Sequence, residues 1–257
     1  MFFVLKRKNI LYLVTLLVLF VVLSVVVSQN QVATVYFGKS IRKTPIYRVQ
    51  TEEKKVALTF DAAWGGDKTQ GILDILKEND VSATFFLVGF WVDKYPELVR
   101  KIYDQKLDIG NHSKNHLNMP KLSVSQMDEE FSYVNDGVKK ITGESPKFFR
   151  APFGDYSNSV IDEASAHGLT SIQWDVDSLD WKGISSREIA TRVLKKVQNG
   201  SIILFHNNSD HVLDALPIVI LELKNRGYKM VKLSDLILTG DYVIDNNGVQ
   251  IQETKGN

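Results

Sequence analysis

Cysteine is absent from this chain of 257 residues. That excludes a disulfide framework, a thiol nucleophile and any cysteine-bound metal. A charge imbalance is also missing: 31 Lys and Arg face 30 Asp and Glu, a formal net charge of +1. Such a balance implies no polyanionic partner, so no nucleic acid is expected. No internal repeat or low-complexity tract is visible. No charged residue occurs between Lys8 and Lys39. The length suits one good-sized domain with appendages, the size at which single α/β barrels commonly fall.

The uncharged stretch is the first positive feature. Lys6-Arg7-Lys8 precedes an apolar run over residues 10–27. About eighteen such residues are enough to cross a bilayer. The basic flank points to the cytoplasm. The organisation expected is a cytoplasmic basic end at 1–9, a transmembrane signal-anchor at 10–28 and a stalk with a lead-in strand at 29–54. The chain is then membrane-anchored through 10–28, single-pass, with its main domain outside the cytoplasm. Secretion after cleavage near Val26-Val27-Ser28 is the rival, but the apolar core exceeds the roughly 7–15 residues usual in signal peptides.

From residue 55 a β/α rhythm begins. Strands are read at 56–60, 83–88, 107–110, 147–150, 170–176, 200–205 and 228–233, with helical apolar spacing between them. Ser123 and Ser185, each followed three residues later by Gln126 or Glu188, have capping-box form and should open helices. Repeated β/α units imply a parallel sheet. No glycine-rich dinucleotide loop follows the first strand, and the units are compact, so a distorted (β/α)7-8 barrel over 55–238 fits better than a doubly wound sheet. Residues 239–257 read as a polar tail with a hairpin around Asn246-Asn247-Gly248. A monomer is expected.

Polar residues gather just after the strands: Asp61, then His112, Arg150, Asp175, Asp177 and Asp180 with Trp181, then His206. Sites in parallel barrels form at the C-terminal ends of strands. His112 and His116 are two of only five histidines, and a close imidazole pair with a third group can hold a zinc-like ion. Each residue alone has a plain alternative. Asp61 could cap a helix, Arg150 could be a structural ion-pair partner, Trp181 could be packing, and His206 a satisfied strand-end histidine. The weight lies in the set.

That set, Thr59-Phe60-Asp61, His112 to His116, Arg150-Ala151-Pro152-Phe153-Gly154, Asp180-Trp181 and Leu204-Phe205-His206, resembles the polysaccharide deacetylases of the NodB-homology type, carbohydrate esterase family 4. The resemblance spans roughly residues 54–238. With Phe-Asp-Ala-Ala-Trp-Gly and a membrane anchor, it is most similar to the sporulation-associated subgroup. It implies a hydrolase of linear amide bonds that removes N-acetyl groups from an amino-sugar polymer such as peptidoglycan or chitin, with zinc or cobalt as cofactor. By the family pattern Asp61 is the base, oriented by Arg150. His206 is the acid, supported by Asp180. Trp181, Leu204 and Pro152 wall the acetyl pocket, and the Phe153 N–H faces the oxyanion.

One position departs from the pattern. The family usually carries a second aspartate after the base, as metal ligand; here it is Ala62. Three outcomes stay open: Asp67 swings in beside His112 and His116, water fills the gap and leaves a weaker two-histidine site, or no metal binds. In the last case the chain is a catalytically weakened or inactive glycan-binding relative.

Overall fold

A computed structural model describes residues 7–29 and 42–253, in two compact units, Met1–Arg42 and Lys43–Asn257. The first holds helix α1, Arg7–Gln29. Its 23 residues rise about 34 Å at about 1.5 Å each. From Ile10 to Val25 the helix shows aliphatic and aromatic side chains on all sides. The Thr15 hydroxyl donates to the Leu11 carbonyl at 2.6 Å, so it needs no outside partner. This helix is long and apolar enough to cross a membrane, a property that a signal sequence shares.

The second unit is built on parallel strands: β2 Lys55–Ala62, β3 Ala83–Leu87, β4 Asp108–Asn111, β5 Phe148–Phe149, β6 Thr170–Ser171, β7 Val176–Asp177, β8 Ile202–His206 and β9 Lys229–Val231, after a lead-in β1 Arg48–Val49. The path runs β6-β5-β4-β3-β2-β8-β7, with β9 on β2. Its two edges are consecutive in the chain. Ser171 and Val176 lie five residues apart, a reach of at most about 17 Å. Seven strands laid flat would part their edges by about 29 Å. The sheet must therefore curl, and it forms a distorted, partly closed barrel. The extended run expected at 170–176 splits because it changes partner: Ile172 N–H donates to Phe149, whereas Asp175 N–H donates to Ile202.

Helices cover the outside: α2 Thr69–Glu78, α3 Gly89–Lys94, α4 Pro96–Asp104, α5 Val124–Thr142, α6 Asn158–Ala166, α7 Ser186–Lys196, α8 Val212–Asn225 and a short α9 Leu233–Leu236. Both capping boxes form, at Ser123 with Gln126 and at Ser185 with Glu188. Strand parity divides the core. Val56, Leu58, Phe60 and Ala62 of β2 join the outer cluster with the helices. Ala57 joins the inner one with Phe86, Ile172 and Ile202. Side chains alternate along a strand, so Thr59 and Asp61 share the inner parity.

The compact unit is wider than the 55–238 read from the motifs. The tail forms the expected hairpin, β10 Tyr242–Ile244 against β11 Val249–Gln252, and β1 pairs with β11 to make a separate three-stranded sheet. Ile46 and Val49 of the lead-in enter the inner cluster with Leu233 and Leu236. The junction has no slack at Gly200, where φ is 77° and an added Cβ would lie 1.8 Å from the Val49 carbonyl oxygen. A Gly200→Ala variant should therefore lose more than about 1 kcal/mol, seen as a melting temperature lower by roughly 4 °C or more. An unchanged melting curve would show that the lead-in is not anchored there.

Candidate active site

The inner parity brings the strand-end residues together. Asp61 on β2 and His206 on β8 are register partners, and Phe86 on β3 flanks Asp61 on the other side. Phe86 in turn lies against Gly110 of β4, where a Cβ would approach its ring to 2.4 Å. Arg150 follows β5, fully buried, with its guanidinium 4.1 Å above the Phe86 ring. Its Nη1 donates to Asp61 Oδ1 at 2.7 Å, and its Nη2 to the Gln173 carbonyl at 3.1 Å. Burial opposes charge on Asp61. Arg150, His112 and His206 outweigh it and hold the carboxyl below the usual aspartate value.

Asp180 supports the opposite group. It is buried, and its two oxygens accept from His206 Nδ1–H and from the His206 backbone N–H, both at 2.8 Å. Ser209 Oγ donates to the Asp180 carbonyl at 2.9 Å. Burial alone would lower the His206 pKa. The hydrogen bond and charge of Asp180, with Asp61 and Asp177 behind it, raise it instead. Nδ1 is thus committed, and Nε2 is the nitrogen left for exchange with a substrate.

His112 is oriented from the other side. Its Nδ1 lies 2.7 Å from the Arg150 carbonyl oxygen, which can only accept, so the proton sits on Nδ1 and Nε2 carries the lone pair. That Nε2 stands 3.5 Å from Asp61 Oδ2. Two ligand atoms each about 2.1 Å from a tetrahedral ion stand about 3.4 Å apart, so the spacing suits a cation better than a direct hydrogen bond. Burial and then the neighbouring His112 push the His116 pKa down to about 4, leaving its imidazole neutral, the form that binds metal. The two rings stand 5.0 Å apart. His112 and His116 are thus candidate ligands, while among the described residues no group of three ligand atoms within 4.8 Å unites them with Asp61.

The third corner is not supplied. Ala62 is fully buried in the outer apolar cluster. Asp67, the expected replacement, is exposed. Among the described residues, no group of three His or acidic ligand atoms within 4.8 Å unites it with His112 and His116. The physical reason is the loop. The Gly65 carbonyl accepts from Trp91 Nε1 at 2.7 Å and from Asn207 Nδ2 at 2.8 Å, and these bonds pin the turn with Asp67 on the solvent side. His167 instead sits with Asp128 and Glu163, its Nε2 at 3.1 and 3.5 Å from them, where it ties α6 to α5.

The expected pocket residues are placed unevenly. Leu204 is buried, two residues before His206 on the same face of β8. Pro152 is buried, whereas Phe153 and Trp181 are 65% and 58% exposed. Phe153 has φ of 61°, a conformation costly for an aromatic residue and concentrated at functional sites. Asp175 and Asp177 shape loops: Asp175 accepts from Ser201 and Ile202, and Asp177 from the Leu179 N–H.

Sequence reasoning missed the residues that hold the histidine loop. Asn111 Oδ1 accepts from Ser113 N–H at 2.8 Å. Glu130, buried on α5, accepts from Asn115 N–H at 2.8 Å and from Asn115 Nδ2 at 2.7 Å. A signal was present: Glu130 lies on the same apolar face as Met127, Phe131 and Val134, where a carboxylate needs a reason. Glu130→Ala should unpair both donors at about 1–3 kcal/mol for a buried group. Faster hydrogen exchange at residues 112–116, with a lower melting temperature, is the expected result. Unchanged exchange there would remove Glu130 from this role.

Residues 48–172 match a family model described as polysaccharide deacetylase. The chain is 35% identical over 189 residues to the peptidoglycan-N-acetylglucosamine deacetylase of Bacillus cereus, covering 72% of this chain and 69% of that protein. It is 34% identical over 199 residues to YlxY of Bacillus subtilis, covering 77% of this chain but 62% of that protein's length. Among solved structures, a CE4-family pseudoenzyme from Bacillus anthracis aligns with a TM-score of 0.73 and 35% identity, over 75% of this chain and 68% of the other. A mutant of that pseudoenzyme, described as having restored enzymatic activity, aligns with the same TM-score at 36% identity.

Proposed function

The chain belongs to the polysaccharide deacetylase family, the NodB-homology group called CE4, and on that footing we propose that it hydrolyses N-acetyl groups on an amino-sugar polymer outside the cytoplasm, with peptidoglycan the leading substrate. The B. cereus relative's named substrate supports this choice, as does an N-terminal helix able to tether the domain at a membrane. A role in spore formation rests on the motif resemblance described above.

One observation carries the chemistry. Two titratable groups on register-paired strands are pushed in opposite directions, Asp61 towards the carboxylate and His206 towards the imidazolium. Such a pair is a base and an acid facing one reaction centre. Asp61, held by Arg150, takes the proton from an attacking water. The Phe153 N–H is the candidate donor to the developing oxyanion. His206 delivers the Nε2 proton to the departing amine, and Asp180 stabilises the charge that His206 carries before it. Leu204 and Pro152 line the acetyl side, with Trp181 at its rim. A divalent ion held by His112 and His116, zinc or cobalt by chemistry, would supply Lewis acidity at the acetyl carbonyl.

Acetate release from peptidoglycan by the detergent-solubilised full chain, with and without added Zn²⁺ or Co²⁺, tests the reading. Asp61→Asn should lower the rate by about 10²–10⁴, and His112→Ala with His116→Ala should abolish any response to metal. Ala62 and the likeness to a pseudoenzyme favour a second reading, a glycan binder without turnover. Glycan binding with no acetate from any amino-sugar polymer would select it.

The pH profile follows from the two pairs. Asp61 is ionised from below the usual carboxylate range upward, and His206 keeps its proton to above the usual imidazole value. The rate should therefore hold between these limits. In Asp180→Asn the main counter-charge is gone and only the more distant Asp61 and Asp177 oppose burial at His206, so its proton leaves at lower pH. The alkaline limb of kcat/KM should then move to lower pH while the acid limb stays. An alkaline limb that does not move would show that His206 is not the acid.

A further inference from the structure

Three exposed aromatic residues of the domain, Trp64, Phe90 and Phe153, are linked through His116. Trp64 is 56% exposed, yet its ring lies 6.2 Å from that of Phe90 and 4.9 Å from that of His116. The His116 ring in turn lies 4.6 Å from Phe153 and 5.0 Å from His112. The rings form one series, Phe90, Trp64, His116, Phe153, joined at His116 to the site described above.

This exposure is built in. Trp64 opens the turn whose Gly65 carbonyl is held by Trp91 and Asn207. Asn207 is itself fully buried, and its amide also donates to Thr69 Oγ1 at 3.1 Å. Gly66 lies so close to Tyr95 that a Cβ would approach its ring to 2.9 Å. Gly65 takes φ of 66°, a conformation that glycine adopts without strain. Buried hydrogen bonds and close backbone contact thus fix the turn that follows Trp64, whose indole stands largely in solvent, where apolar surface is unfavourable. A fixed apolar patch beside the strand-end cluster is a candidate ligand surface.

We propose that Trp64, with Phe90 beside it, is a stacking platform for the sugar rings next to the residue being deacetylated. The choice of a sugar polymer as occupant rests on the deacetylase-family reading and on the continuity of the rings with His116. A pyranose offers a face of C–H groups that packs on an aromatic π-face, while its hydroxyls stay in water. The platform meets the site at His116 and uses neither Trp181 nor Leu204. It therefore sets affinity for neighbouring sugars, separately from the acetyl pocket.

The test is calorimetric binding of N-acetylglucosamine and its β-1,4-linked oligomers to the detergent-solubilised full chain. Trp64→Ala should weaken oligomer binding about tenfold. It should change monosaccharide binding far less, and Trp64→Phe should recover most of the loss. Melting curves that match the parent exclude a folding defect, and Phe90→Ala gives a second, independent probe of the same face. Oligomer affinity unchanged in Trp64→Ala, or a loss equal for monosaccharide and oligomer, overturns the platform. So does a parent chain that binds no oligomer. The two readings fail separately. Oligomer binding that depends on Trp64, without acetate release, removes the deacetylase and keeps the platform. Acetate release with binding indifferent to Trp64 does the reverse.

Discussion

The buried pair of Asp61 and Arg150 organises the strand-end cluster. Arg150 touches several parts of it. Its guanidinium holds the carboxylate, rests on Phe86 and reaches the Gln173 carbonyl. Its backbone carbonyl sets the tautomer of His112. A single residue thus orients the proposed base through its side chain and a metal-ligand candidate through its main chain. Taking two charges out of water is costly, and a partner left alone would be costlier still. Such a pair therefore makes sense for position and charge state more than for stability. The Arg150 Nε, buried without a partner, is consistent with a guanidinium aligned for Asp61 at the expense of its own full satisfaction.

The fold makes that pairing possible through parity and closure. Alternation along β2 sends Phe60 to the helices and Asp61 to the inner face, and parallel register puts His206 at the same level. Direct pairing of β7 with β8 sets the turn after β7, with Asp180, beside the end of β8. In a flat sheet β5 and β8, which bring Arg150 and His206, would lie four strand spacings apart, or about 19 Å. In the curled sheet both reach Asp61.

Much of this was legible in local signals. The capping serines at 123 and 185 and the strand-end polar residues each carry their message within a few positions, and the hairpin around Asn247-Gly248 does the same. What stayed hidden depends on distant partners. Nothing local says that Val49 pairs with Gln250, or that the run from Thr170 to Asp177 trades β5 for β8. The helix Gly89–Lys94 begins at a glycine with no side-chain cap, so no start signal announced it. Asp67 was a reasonable substitute ligand by sequence distance. Its loop is pinned by Trp91 and Asn207, neither of which the first-motif sequence contains.

Charge counting shows what Ala62 does to the metal corner while the proposed acid and base are retained. Asp61 balances Arg150, and Asp180 balances protonated His206, so these four groups sum to zero. The family's second aspartate would leave a net negative charge beside two imidazoles, a strong lure for a divalent ion. With Ala62 that charge is gone, and an ion meets two neutral nitrogens beside a carboxylate already committed to Arg150. Two neutral ligands hold a cation less firmly than two with an anionic third. The outer parity of position 62 deepens the effect, since its neighbours are the apolar residues packed between sheet and helices. The alanine is thus a well-packed residue where it stands. An ion at this corner would rest on the His112–His116 pair, whose orientation depends on Arg150 and Glu130 behind it.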